Sequence, residues 1–137
     1  EYAIAKDTLH NKIRELSKLY PIKFIWARLF YIYGVGQAEN SLYPSLRRAI
    51  ERGDKIFKMS SGMQVRDFLP VEEVASAIVD LVFNKEVEEV VNICSGKPIS
   101  VIELVEKWLK ENDWEIELAL GEYKYPDYEP YAFWGLK

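Results

Sequence analysis

Residues 22–30, Ile-Lys-Phe-Ile-Trp-Ala-Arg-Leu-Phe, are almost unbroken in apolar and β-forming side chains. A strand that alternates apolar with polar residues needs cover on one face. A strand apolar along its whole length needs cover on both, the situation of a parallel sheet between layers of helices. A helical pattern precedes it. Leu9, Ile13, Leu16 and Tyr20 recur at steps of four, three and four across residues 2–20, and Pro21 stops the run. The fold class expected is therefore α/β.

The remainder alternates in the same way. Residues 33–40 carry Gly34, Gly36, Gln37 and Asn40 and read as a loop. Ser41 can cap a helix over about 42–52 that Gly53 closes. Residues 55–59 and 64–69 read as two short strands around the turn Ser60-Ser61-Gly62. A helix over 71–84 places Val74, Ala77, Ile78, Leu81 and Val82 on one face. Residues 89–94 form a strand, and Ser100-Val101-Ile102-Glu103 is a capping-box pattern opening a helix to about residue 111. Residues 115–120 form a last strand. The tail, 121–137, holds Tyr123, Tyr125, Tyr128, Tyr131, Phe133 and Trp134 with two prolines and no period. It reads equally as a loop packed over apolar surface or as the lining of a ligand groove.

Composition removes several function classes. Of 137 residues, 49% are hydrophobic, enough for one folded domain with a real core. Eighteen basic against 22 acidic residues leave a net charge of −4, so no nucleic-acid partner is expected. Arg47-Arg48 reads as a solvated helix face. No signal peptide and no apolar run of about 20 residues is present, so no membrane partner is expected. The single Cys94 fits a reducing compartment, and the location expected is cytoplasmic. One histidine, His10, and one cysteine exclude a His/Cys zinc site, so no metal is expected. His10 reads as a helix-face residue.

Tyr2 and Lys6 lie about one turn apart on the first helix, on one face. An ammonium near a phenol favours the phenolate, and a tyrosine tuned in this way can move a proton on and off a hydroxyl. Taken alone, the pair reads more readily as a surface tyrosine beside a lysine. Three further segments follow it in order: Arg28-Leu29-Phe30-Tyr31-Ile32-Tyr33-Gly34, Gln64-Val65-Arg66-Asp67-Phe68-Leu69-Pro70-Val71 and Val91-Asn92-Ile93-Cys94-Ser95-Gly96.

That succession, from Tyr2 to about Trp134, resembles the C-terminal half of the extended short-chain dehydrogenase/reductases, the NAD-dependent nucleotide-sugar epimerases and dehydratases. The resemblance implies that Tyr2 is the acid/base for a sugar hydroxyl and that Lys6 holds the cofactor's ribose. Tyr2, Lys6 and Leu29 would face NAD or NADP. It implies that Arg66 grips the diphosphate of a nucleotide-diphosphate sugar, a task suited to the two-pronged guanidinium. Tyr31 stands where the family usually has an asparagine that touches the nucleotide sugar. Tyr125 and Asp127 fall in a late segment that holds the nucleotide or covers the substrate. Asp67 is expected to point away from Arg66 and anchor a neighbouring loop, Arg28 to tie its own loop, and Asn92–Gly96 to be a structural turn. Should Arg66 be structural instead, its expected partner is Glu72 or Glu73.

No glycine-rich turn after a strand opens the chain. The N-terminal dinucleotide-binding half, and a catalytic serine or threonine upstream of the tyrosine, are expected to be absent, leaving a fragment that binds no cofactor by itself. Residues 1–40 would end a Rossmann-like core, and 41–137 would form mainly a small substrate-binding domain. The first helix is expected to mediate a homodimer. The function implied is the substrate-binding and Tyr/Lys portion of an NAD-dependent epimerase or dehydratase. The alternative is a non-catalytic nucleotide- or protein-binding module that keeps the fold.

Overall fold

The computed structural model describes residues 1–84 and 89–137. Helix α1 (Tyr2–Leu19) leads into β1 (Trp26–Leu29) and β2 (Tyr31–Tyr33). Then follow α2 (Leu42–Glu51), β3 (Ile56–Lys58), β4 (Val65–Arg66), β5 (Phe68–Pro70), α3 (Val71–Phe83) and β6 (Val90–Ile93). The chain closes with β7 (Ile99–Ser100), α4 (Val101–Glu111), β8 (Glu117–Ala119) and β9 (Ala132–Phe133). The α/β class holds, and four strand pairs, β1–β6, β2–β5, β3–β8 and β4–β9, are parallel.

The apolar run at 22–30 yields a strand only from Trp26, and its extended backbone continues past Phe30 to Tyr33. Phe30 marks a change of partner. The Trp26–Leu29 stretch pairs with β6 and the Tyr31–Tyr33 stretch with β5. Ala27, Arg28 and Leu29 are exposed, so nothing among the described residues supplies the cover on both faces that the pattern demands. The Arg28 side chain makes no hydrogen bond or ion pair among the described residues and does not tie its loop there. The strands at 56–58 and 65–70 do not form a hairpin. β3 turns instead to β8, and β4 lies between β7, antiparallel, and β9, parallel. Gly62 makes this departure possible. Its φ is 69°, and a Cβ there would stand 2.9 Å from the Ile102 Cβ, so the turn closes onto α4 only without a side chain.

Two small cores result. The larger joins Leu46 of α2, Met59, and Val101, Leu104, Val105 and Trp108 of α4, with Tyr33, Tyr43 and Phe57 packed on it. The four α4 residues follow the helical period, and each contributes about 1.5–3 kcal/mol on full burial. The smaller core holds Leu69, Val74 and Ile93. On both α1 and α3 the apolar stripe is wider than the buried one. Leu9 and Leu16 are each 47% exposed, and His10 is the buried residue of α1, stacked on Trp26 at 4.6 Å. Val74 is buried on α3 while Ile78 and Val82 are exposed. Because β6 pairs with β1 and Ile93 packs on Leu69 and Val74, residues 90–93 join the first forty residues to β5 and α3.

Candidate functional site

Successive side chains on a strand point to opposite sides, and at the end of β4 that rule separates two buried charges. Asp67, with no exposure, accepts hydrogen bonds from the backbone N–H of Ser95 at 2.6 Å and Gly96 at 2.9 Å. It thereby fixes the turn after β6, where Gly96 has φ 71°. Arg66, 2% exposed, goes the other way. Its Nη1 donates to the carbonyls of Val65 at 2.7 Å and Tyr131 at 3.1 Å. Its Nη2 donates to the Tyr125 hydroxyl and to Glu129 Oε2 at 3.3 Å. The guanidinium carbon lies 5.3 Å from the ring centre of Tyr31 and 5.7 Å from that of Tyr125, within range of a cation–π attraction. β9 holds this arrangement in place, pairing Arg66 with Phe133 and returning the tail across β4.

Arg66 faces a cavity of about 610 Å³. Tyr31, Phe57, Phe68, Tyr123 and Tyr125 give it aromatic walls, and Asn40, Ser45, Arg48, Lys58 and Gln64 give it polar ones. Mostly apolar walls with a few fixed polar groups are the usual make-up of a small-molecule site. Burial pulls the Arg66 pKa down, but hydrogen bonding and charge from Tyr31, Tyr125 and Glu129 outweigh it, and the net shift is upward. Burial, reinforced by Glu129, pushes the Tyr125 phenol up, against the opposing charge of Arg66. The centre is thus a fixed cation beside a neutral phenol. The partner of Arg66 is neither Glu72 nor Glu73 but Glu129, 63 residues away in sequence. The Cys94 thiol is buried and pushed up by that burial and by the charge of Asp67, so it is no nucleophile.

The structure brings Tyr31, Arg66 and Tyr125 together on this cavity. Tyr2, Lys6, Leu29 and Asp127 lie elsewhere. Tyr2 is 77% exposed, with the Lys6 ammonium 5.6 Å from its ring centre. Neither side chain makes a hydrogen bond or ion pair among the described residues. Leu29, at the end of β1, is 48% exposed. Asp127 points to solvent, and the carboxylate that reaches the cavity is Glu129. Glu129 and Ser45 carry no signal of their own, because a lone residue in an aperiodic tail or on a helix gives no pattern to read, whereas Tyr123 is one of the tail aromatics for which a groove lining is one expectation. No three His, Cys, Asp or Glu side chains cluster to hold a metal, and no helix is long and apolar enough to cross a membrane, among the described residues.

Comparison with known proteins follows the same segments. The NAD dependent epimerase/dehydratase family matches residues 1–94. The dTDP-6-deoxy-L-talose 4-dehydrogenase (NAD(+)) of Aggregatibacter actinomycetemcomitans is 28% identical over 137 residues, 99% of this chain and 50% of that protein. The structure of RMD from Pseudomonas aeruginosa complexed with NADPH superposes with a TM-score of 0.76 at 26% identity, covering 88% of this chain and 44% of the other. MoeE5 in complex with UDP-glucuronic acid and NAD aligns at 30% identity with a TM-score of 0.56, over 69% of this chain and 32% of the other. The chain spans about half the length of the curated relative that it matches end to end.

Proposed function

The chain belongs to the NAD dependent epimerase/dehydratase family, and on that premise we propose that the whole protein oxidises a hexose carbon of a nucleotide-diphosphate sugar. The observation that carries this reading is the buried Arg66 facing a cavity with aromatic walls. A diphosphate is the ligand group that best uses a fixed guanidinium, and aromatic faces suit a base or a sugar. MoeE5, whose structure holds UDP-glucuronic acid and NAD, lends support. In this reading Arg66 holds the diphosphate, and Tyr31 and Tyr125 keep its guanidinium plane in place. Asp127 covers the outer end of the substrate from the solvent side.

Tyr2 takes the sugar hydroxyl proton, and Lys6 supports it and holds the cofactor's ribose, with Leu29 against the same cofactor. NAD or NADP, when bound, supplies the acceptor for the hydride that leaves the same carbon. The exposed and otherwise unengaged phenol and ammonium of Tyr2 and Lys6 suit those roles. Residues 1–40 act with the cofactor-binding portion and most of 41–137 with the substrate. Cys94, free and unpaired with any other cysteine, agrees with a cytoplasmic setting.

The test is Arg66→Ala in the whole protein. A charge-assisted hydrogen bond is worth about 1.5–3 kcal/mol, so nucleotide-sugar affinity should fall about ten- to a hundredfold while NAD affinity holds. Equal loss for both ligands refutes the role. A second part of the proposal concerns assembly. Ile4, Leu9, Leu16 and Leu19 are exposed on α1, and apolar surface of that kind drives association. We assign α1 to a homodimer contact and expect residues 1–137 alone to self-associate without binding NAD. Leu16→Glu with Leu9→Lys should shift light scattering toward the monomer; a clean monomer before substitution, or micromolar NAD binding, removes this part.

A further inference from the structure

The terminal edge of the Arg66 guanidinium is fully engaged. Its two terminal nitrogens carry four N–H donors, and each has a partner: the carbonyls of Val65 and Tyr131 on Nη1, Tyr125 and Glu129 on Nη2. The two halves of the fork differ in kind. Nη1 is tied to backbone of β4 and of the residue that enters β9. Nη2 is held only by side chains, and both belong to the segment between β8 and β9, which contains no helix or strand. The ion pair is also lopsided. The Arg66 side chain is 2% exposed and that of Glu129 39%. The cation is fixed in the wall, whereas the anion reaches it from solvent across 3.3 Å, long for a charge-assisted contact. Tyr125 steadies that anion. Its hydroxyl lies 2.9 Å from Glu129 Oε2 and 3.1 Å from the Pro130 carbonyl, so its single proton can turn from one to the other.

We propose that Glu129 is a built-in placeholder for the ligand's phosphate, and so a specificity-determining residue of the cavity. The proposal rests on the reading of Arg66 as the diphosphate contact. In the ligand-free protein the carboxylate neutralises a cation that would otherwise be buried alone, which is strongly unfavourable. When a diphosphate enters, Glu129 swings to solvent, the Tyr125 proton turns to the Pro130 carbonyl while its oxygen keeps its Nη2 bond, and a phosphate oxygen takes the Nη2 donor that Glu129 held. No bond is made or broken beyond hydrogen bonds. A ligand must therefore out-compete a carboxylate already in place. A neutral group gains nothing at Arg66, and a single carboxylate only exchanges like for like. A diphosphate brings more charge and more acceptor atoms, so it is selected.

The test is Glu129→Gln in the whole protein, which keeps the shape and an acceptor for Tyr125 but removes the charge. Calorimetric titration would use UDP, dTDP, GDP and CDP, taking the one that binds wild type most tightly, with the matching nucleoside as control. Diphosphate affinity should rise about tenfold, as expected for loss of one charged competitor, with nucleoside affinity unchanged. The melting temperature of the ligand-free variant should fall, and the deficit should close at saturating diphosphate. In an Arg66→Gln background the gain from Glu129→Gln should vanish, because no contact remains to be contested. Unchanged or weaker diphosphate binding in Glu129→Gln, with Arg66→Gln still impaired, overturns the placeholder and leaves the Arg66 reading standing. Normal binding by Arg66→Gln overturns the Arg66 reading itself. A gain of equal size in both backgrounds reveals a general field effect and also overturns the placeholder. Should Arg66→Gln not fold, the ratio of diphosphate to nucleoside affinity in Glu129→Gln takes its place, and a ratio no wider than in wild type overturns the proposal.

Discussion

Arg66 is 2% exposed and engages four partners, one on its own strand and three in the tail about sixty residues later, whereas Tyr2 is 77% exposed and faces only the ammonium one turn along its own helix. Around Arg66 the chain supplies its own walls: β9 on one side, β7 on the other, α4 beneath. Around Tyr2, α1 buries a single residue, His10, and the strand that follows leaves three of its four residues exposed. The proposed site therefore has a closed end and an open end. At the closed end a side chain is part of the fold, so altering it disturbs stability and binding together. At the open end a side chain supports nothing within these residues, so altering it disturbs chemistry alone.

The largest expected effect lies at the open end. Tyr2→Phe in the whole protein removes one hydroxyl that makes no hydrogen bond among the described residues. Turnover should fall by about 10²–10⁴, the usual worth of a positioned acid/base, with melting temperature and nucleotide-sugar affinity unmoved. A turnover near that of wild type at neutral pH would place the proton transfer elsewhere. A drop in melting temperature would mean that the open end is not open in the whole protein.

Asp67→Ala probes the closed end, and its signature should be the reverse. The substitution strands the Ser95 and Gly96 N–H groups that the carboxylate now satisfies. Because both groups lie near the surface, water recovers part of the loss, and the expected destabilisation is about 2–3 kcal/mol. Denaturant unfolding measures it. Amide exchange at Ser95 and Gly96 should quicken first, as the turn after β6 loosens. A change below about 0.5 kcal/mol would show that the turn holds itself, and that Asp67 is not what separates the closed end from the rest.

This contrast also explains what could be read from the sequence. Periodicity placed α1 and α3 almost to the residue, because a helix announces itself through neighbours three and four apart. The capping box at Ser100 and Glu103 was legible for the same reason. The opposite facing of Arg66 and Asp67 followed from the two-residue period of a strand. Strand partners were not legible. The turn at 60–62 suggested a hairpin, but β3 is completed by β8, about sixty residues later. Which apolar stripe is buried was equally hidden, since Leu9 and Leu16 fit the helical pattern as well as any core residue yet lie exposed. Glu129 was hidden most deeply. Its partner is far away in sequence and its own surroundings have no period, so only the tertiary path of the tail brings it to Arg66.

The smallest expected effect is at the helix beneath the closed end. Ser100 Oγ accepts from the Glu103 N–H at 3.2 Å, and Glu103 Oε2 accepts from the Ser100 N–H at 2.7 Å. Val101, the next residue, lines the Arg66 cavity, so this cap sets where α4 meets the site. Ser100→Ala should cost about 1 kcal/mol of stability and leave turnover unchanged. The hydrogen bonds from the Ser100 side chain and backbone hold the Glu103 pKa below its ordinary 4.5. A carboxylate held down in this way favours the fold whenever it is ionised. Its contribution is complete above about pH 4.5 and falls away as the pH drops through the lowered value. Glu103→Gln should therefore flatten the acid limb of the stability curve and change little near neutrality, where the glutamine still accepts from Ser100. If the acid limb keeps its slope in Glu103→Gln, the cap contributes no pH-dependent stability. If Ser100→Ala lowers turnover as well as stability, the closed end depends on this one helix terminus for its shape, and its independence from the open end is lost.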